Sequence, residues 1–279
     1  MDQKLKYFLY SQNSLNTFKS CPLKFKYKYI DNINWRFDSI ESRDYYEGLK
    51  SGSEFHLLCE RYFKNIPIGE NISEEFKLWI EKIKDIIYID ESKIYLPEYE
   101  VRIKIGENYL TAKYDLVIID KDSIEIWDWK TESQNSSYKN IENRMQTIVY
   151  MYLAKEVIQK IYNLNIDTEN ISMKYFRLKI DNYPITVKYN KEKHLKSKYI
   201  IESFINNISN LDFDGYIQKN KKEVLGRIRK LYKKRKNVRR YYCAFYVKQV
   251  RICYILCTVI KIRKLLYKKA LYVEKRREM

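Results

Sequence analysis

Glycine and proline are scarce, six and four in 279 residues. That excludes a Pro/Gly-rich low-complexity chain, and turns have to be read largely from polar clusters. Histidine is rarer still, with only two copies. The cysteines, Cys21, Cys59, Cys243, Cys253 and Cys257, are odd in number and irregular in spacing, which argues against a disulfide framework. The most apolar run, Ile252 to Ile260, is too short to span a bilayer and is flanked by basic residues. Met1 to Ser14 lacks an apolar stretch of signal-peptide length. The expectation is a soluble cytoplasmic protein with no membrane partner.

What is present suffices for a sizeable core. The chain is 45% hydrophobic and 15% aromatic, enough for one large domain or a domain with an appendage. The net charge of +18 is unevenly spread. Residues 219–279 hold 22 Lys/Arg against 3 Asp/Glu, whereas residues 1–218 hold 32 against 33. Such a basic segment favours a polyanion, because neutralising phosphates releases counterions; a solvated charged helix is the plainer reading. Arginine usage also rises there, from 6 of 32 basic residues to 9 of 22, and no Asp follows Asp214. That shift is what a change of reading frame would also produce.

The body divides into periodic stretches. Ser11 and Ser14 are N-cap candidates for one or two helices through Ile30, interrupted at Cys21-Pro22. Tyr45 to Phe63 and Ser73 to about Tyr88 carry helical apolar spacing. Tyr99–Ile105, Tyr109–Ile119 and Ile124–Trp129 then read as three strands joined by short turns, an antiparallel meander. Ile141–Ile161 is a helix, Ile171–Lys179 and Ile185–Tyr189 are strands, and Lys191–Ile208 is a helix. The order predicts an α/β sandwich with a mixed sheet.

Chemistry concentrates between Asp115 and Lys130. Antiparallel neighbours joined by a short turn can bring Asp115 beside Asp128, and Lys130 projects from the same strand face as Asp128. Two unpaired carboxylates would repel and one would take up a proton. A bound Mg²⁺ or Mn²⁺ removes that conflict and prefers oxygen ligands, here two Asp side chains plus a backbone carbonyl. Such a metal can polarise a phosphate and acidify a bound water. Lys130 can hold the phosphate or orient and help deprotonate the water. Taken alone, the same residues are two strand-end aspartates and a surface lysine.

Five ordered motifs decide between these readings: Ser11-x-x-Ser14-Leu15-x-x-Phe18-x-x-Cys21-Pro22-x-x-Phe25-x-Tyr27; Gly52-x-x-x-His56-x-x-x-Glu60; Lys113-Tyr114-Asp115-Leu116-Val117; Ile126-Trp127-Asp128-Trp129-Lys130-Thr131; and Gln146-x-x-x-Tyr150. Together they resemble the RecB-like branch of the PD-(D/E)XK nuclease superfamily, which includes RecB and AddB nuclease domains and CRISPR-associated RecB-like nucleases. The resemblance covers Ser11 to Tyr152 and, more loosely, the body to about Phe213; Ala112 stands where the family often has glycine.

It implies a restriction-endonuclease-like α/β core, a central mixed sheet flanked by helices, with an N-terminal helical part. It also implies a metal site of His56, Asp115, Asp128 and the Trp129 carbonyl, with Asp115, Asp128, Lys130, Gln146 and Tyr150 in catalysis. Glu98 or Glu100 ranks behind these as a further carboxylate. Many members hold a [4Fe–4S] cluster; Cys21, Cys243, Cys253 and Cys257 match its four ligands in number and region but not in spacing.

The implied activity is metal-dependent phosphodiester hydrolysis of DNA, read as an exonuclease in repair, recombination or phage- and CRISPR-type processing. Its partners would be single strands or duplex ends, with a helicase or recombination protein beside it. A DNA-binding module without cleavage, or an RNA-processing nuclease, are the rivals; an inactive module is expected to lack Asp115, Asp128 or Lys130, and all three are present. The domain expectation is a nuclease domain over 1–218 and a basic segment over 219–279. On sequence, that segment stays open as an iron–sulfur region, a DNA-binding tail or a shifted frame.

Overall fold

A computed structural model describes residues 5–33, 40–131 and 141–216. Cys243, Cys253, Cys257 and the whole basic segment 219–279 lie outside these residues. Contacts divide the chain into two compact units, one over 5–15 and 40–206 and the other, among the described residues, over 16–33 and 207–216.

The larger unit is a six-stranded mixed sheet between helices. β1 (Leu9–Ser11) leads into α1 (Gln12–Ser20); α3 (Ile40–Phe63) and α4 (Glu74–Ile86) precede the meander of β2 (Ile94–Ile105), β3 (Asn108–Ile119) and β4 (Ile124–Lys130). Next come α5 (Met145–Leu153), β5 (Ile171–Arg177), β6 (Ile185–Lys188) and α6 (Lys191–Asn210). The strand order is β1-β3-β4-β5-β6, and β2 pairs with the other edge of β3. The β2–β3, β3–β4 and β5–β6 pairs are antiparallel, while β1–β3 and β4–β5 are parallel.

One edge of β3 is shared. Its residues Tyr109 to Thr111 pair with β1, and Leu116 to Ile119 pair with β4. Between them the edge forks, and Asp115 sits in the fork.

Local chemistry explains the elements. Ser11 and Ser14 cap α1 reciprocally: Ser14 N–H donates to Ser11 Oγ at 3.3 Å, and Ser11 N–H to Ser14 Oγ at 2.9 Å. Ser73 caps α4 by accepting from Phe76 N–H, with Glu74 and Glu75 in the first turn. Gly106 opens the β2–β3 turn at φ +60°, a conformation cheap only for glycine.

Alternate residues Leu116 and Ile118 of β3, Trp127 and Trp129 of β4, and Phe176 and Leu178 beyond it form one core with Phe55, Leu58 and Cys59 of α3 and Phe76, Trp79, Ile80 and Ile83 of α4. β4 is also buried at Ile124, Ile126 and Asp128, so it is covered on both faces, as the sandwich predicts.

The elements differ from the periodicity at several points; α3, for one, begins five residues before Tyr45. β2 begins five residues before Tyr99 and runs through Pro97; among the described residues the strand pairs only with β3, and such an edge position is where a sheet admits proline. The three-residue β1 is too short to carry a period. The helix expected through Ile161 passes into a π-helical turn, Ala154–Ile158, and its regular part begins at Met145.

In the smaller unit, Cys21 is extended (φ −167°) and Pro22 takes the first position of α2 (Pro22–Phe25), which accounts for the interrupted helix. The π-helical stretch Lys26–Ile30 continues it. Phe25 is fully buried, with ring contacts to Phe18, Tyr29 and Phe213 at 5.7, 5.2 and 6.3 Å.

Candidate active site

Three strands place three acids in one transverse row. In the β2–β3 ladder Pro97 faces Leu116 and Tyr99 faces Tyr114, which sets Glu98 opposite Asp115. In the β3–β4 ladder the last rung is Leu116 to Trp127, so the next positions are Asp115 and Asp128. Neighbouring strands stand about 4.8 Å apart, close enough for these side chains to share one site.

The row departs from ideal strand geometry at its first member. Glu98 has φ 51°, the left-handed region, and its rung to Asp115 is missing although the rungs on both sides are made. A non-glycine residue held there costs on the order of 1–3 kcal/mol, and such strain clusters at functional sites.

His56, from α3, closes one side. Its Nδ1 is 3.3 Å from Asp115 Oδ1 and 3.5 Å from Glu98 Oε1. One ligand atom from each of His56, Glu98 and Asp115 lies within 4.8 Å of the others, a group that can hold a metal ion. Burial opposes a charge on His56, but the hydrogen bonds and charges of Asp115 and Glu98 outweigh it and push its pKa up to about 10. Gly52, one turn earlier, faces Thr131; an added Cβ would stand 3.4 Å from its Oγ1, so this approach would tolerate alanine.

Asp128 is 1% exposed and held from two sides. Lys130 Nζ is 2.7 Å from its Oδ2, and the Gln146 amide donates to its Oδ1. Burial pushes the Asp128 pKa up; Lys130 opposes this and Asp115 adds to it. Burial also works against the Lys130 ammonium, but Asp128 and Asp115 prevail and raise its pKa. Lys130 is therefore held as a cation in the metal-free site. Asp115 Oδ2 accepts the Trp129 backbone N–H at 2.8 Å, filling the fork left by the ladder. The Trp129 side chain is in the core, stacked on Phe63 at 6.4 Å.

The residues singled out in the sequence thus separate by surroundings. Asp115 and His56 meet Glu98, which ranked behind them; Glu100 points elsewhere, to Thr111 Oγ1. Gln146 reaches Asp128. Tyr150 is 6% exposed and donates to the Lys113 carbonyl at 2.6 Å, with its own carbonyl accepting from Tyr114. Lys113, absent from the sequence reading of the site, puts its Nζ 2.6 Å from Glu98 Oε2. Cys21 is half-buried and Cys59 is buried, as an apolar residue would be.

A model of the PD-(D/E)XK nuclease superfamily matches residues 10–85 and 80–245. The chain belongs to that superfamily. A mixed central sheet flanked by helices is consistent with the superfamily's fold, and its members use divalent metals. A crystal structure of a candidate exonuclease from Eubacterium rectale is similar over 74% of this chain and 82% of that one, at 11% identity and a TM-score of 0.48. No curated protein matches the sequence. Among the described residues no helix is long and apolar enough to cross a membrane.

The donor set suits the metal a PD-(D/E)XK nuclease needs. One imidazole and two carboxylates already converge, and Asp128 carries a burial cost that a nearby cation would relieve. In its absence three cations, His56, Lys113 and Lys130, balance the three acids.

Proposed function

We propose that this nuclease is a Mg²⁺- or Mn²⁺-dependent deoxyribonuclease that trims DNA from its ends, in repair, recombination or the processing of invading DNA. The observation carrying the reading is the row Glu98–Asp115–Asp128, flanked by His56 and Lys130. His56, Glu98, Asp115, Asp128 and the Trp129 carbonyl would hold the cation. When bound, the cation polarises the scissile phosphate and acidifies a water.

Hydrolysis adds hydroxyl to phosphorus and a proton to the leaving oxygen. Lys130, held charged by Asp128, stabilises charge developing on the phosphoryl oxygens and orients the attacking water. Gln146 fixes Asp128 so that one carboxylate oxygen faces Lys130. Tyr150 is a positioning residue, since its hydroxyl pins the β3 backbone two residues before Asp115. End-directed action and a helicase or recombination partner rest on the RecB-like motifs.

Purified protein is expected to degrade linear double- or single-stranded DNA with Mn²⁺ or Mg²⁺ and to stop when excess chelator is added; circular DNA should survive. Cleavage that persists in chelator would sink the metal-centred reading, and equal cutting of circles would sink end-directed action alone. The inactive-module alternative predicts binding with no product under any of these metals. Cleavage of RNA in preference to DNA would select the other rival.

The basic segment 219–279 is proposed as a non-specific DNA contact. Changing Lys233, Lys234, Arg235 and Lys236 to Gln should weaken DNA binding and flatten its salt dependence by about 0.9 per lost phosphate contact with duplex. An unchanged salt slope would mean that these residues do not touch the substrate.

A further inference from the structure

Two cations without an assigned role in the site stand towards opposite ends of the acidic row. Lys113 lies two residues before Asp115 on β3. It neutralises Glu98 at 2.6 Å, yet its side chain is 59% exposed, so the ammonium is on the open side of the site. Its backbone is anchored by the Tyr150 hydroxyl and by the rung to Glu100. At the other end, Arg144 is the N-cap residue of α5, immediately before Met145 and two residues before Gln146. Its guanidinium lies over the Tyr175 ring, 5.9 Å from the centroid, and Tyr175 pairs with Asp128 in the β4–β5 ladder. The Arg144 charge is felt at Lys130.

A polyanion meeting three carboxylates is repelled unless cations flank them. Lys130, inside the row beside Asp128, acts on the scissile phosphate itself. Lys113 stands beside Glu98, and Arg144 lies over Tyr175, the β5 neighbour of Asp128; Glu98 on β2 and Tyr175 on β5 are three strand spacings apart, on the order of 14 Å. We propose that the DNA strand being cut crosses the sheet along the acidic row, with Lys113 and Arg144 holding the phosphates on either side of the scissile one. This rests on the nuclease reading and adds the path of the substrate, which runs across the strands.

The test uses the full chain and a labelled single-stranded oligodeoxynucleotide. Binding is followed by fluorescence anisotropy in chelator over a range of salt. Lys113→Gln and Arg144→Gln should each lower the salt slope by about 0.7, the double variant by about twice that, and Lys113→Arg should restore the wild-type slope. Lys121→Gln, in the exposed β3–β4 turn at the far end of β4, should leave it unchanged. With metal added, each single Gln variant should raise KM several-fold while kcat stays within about threefold.

A lysine that only balances Glu98 would change melting temperature or metal affinity and leave the salt slope alone. Wild-type slopes in both variants, beside a wild type that cuts DNA, overturn the path and leave the nuclease reading standing. A slope change in only one variant overturns the crossing direction. A wild type that neither binds nor cuts removes both.

Discussion

Asp115→Asn and Asp128→Asn are each expected to take DNA cleavage below detection while the fold survives. The substitution keeps side-chain shape and removes the negative charge that would hold a cation. Asp115 has a second duty, since its Oδ2 accepts the Trp129 N–H in the fork of the sheet. Asparagine can still offer its amide oxygen there, so the melting temperature should change little. Lys130→Ala should behave differently. Metal binding should persist while kcat falls by about 10²–10⁴-fold, the range for loss of a group acting on the transferring proton or the developing charge. Because these side chains act on one step, the Asp128→Asn, Lys130→Ala double variant should be little worse than Asp128→Asn alone. Rates on a labelled duplex, with circular dichroism as the folding check, decide the matter. Near-wild-type cleavage by both single variants would mean that this site is not where DNA is cut.

The three-strand meander was legible because its turns are short and polar. Gly106-Glu107 and Asp120 to Ser123 set both registers, and counting outward from them already puts Glu98, Asp115 and Asp128 in one row. That count was available in the sequence and separates Glu98 from Glu100, which falls opposite Lys113. Glu98 was nevertheless ranked low because nothing in local pattern signals a left-handed residue in mid-strand. The fork of β3 was not legible at all. It depends on β1, three residues joined in parallel from far along the chain, and parallel pairing leaves no turn to count from. His56 was legible by rarity and by its place one turn after Gly52, but its partners were not. They come from strands about 40 and 60 residues away, a distance that propensity and periodicity do not reach. The surroundings of Tyr150 were not legible either. The i, i+4 spacing puts it on one helix face with Gln146, yet its ring packs edge-on against Tyr114 at 4.9 Å and its hydroxyl is spent on the backbone.

The largest solution effect should come from the proton on His56. In the metal-free site Asp115 and Glu98 raise its pKa to about 10, against the ordinary imidazole value of about 6.5. A metal-ligating imidazole must be neutral, so a cation entering the site at pH 8 has to displace that proton. Asp128, although raised by burial, is held ionised by Lys130 and contributes no proton at this pH. About one proton should therefore leave per Mn²⁺ bound, and apparent affinity should rise about tenfold per pH unit from 7 to 9.

The same shift sets the stability of the metal-free protein. A folded-state pKa raised above the unfolded value contributes stability that is complete below about 6.5 and is lost as pH climbs towards 10, at up to about 1.4 kcal/mol per unit. Melting temperature in chelator should accordingly fall between pH 7 and 10, and added Mn²⁺ should reverse the trend. Calorimetric titration with Mn²⁺ at pH 8, in two buffers of different ionisation enthalpy, counts the protons directly. His56→Ala should bring the count close to zero and flatten both pH dependences. A wild-type count close to zero would show that His56 either carries no proton in the free site or keeps it when the metal binds, and in both cases it would not be the switching ligand.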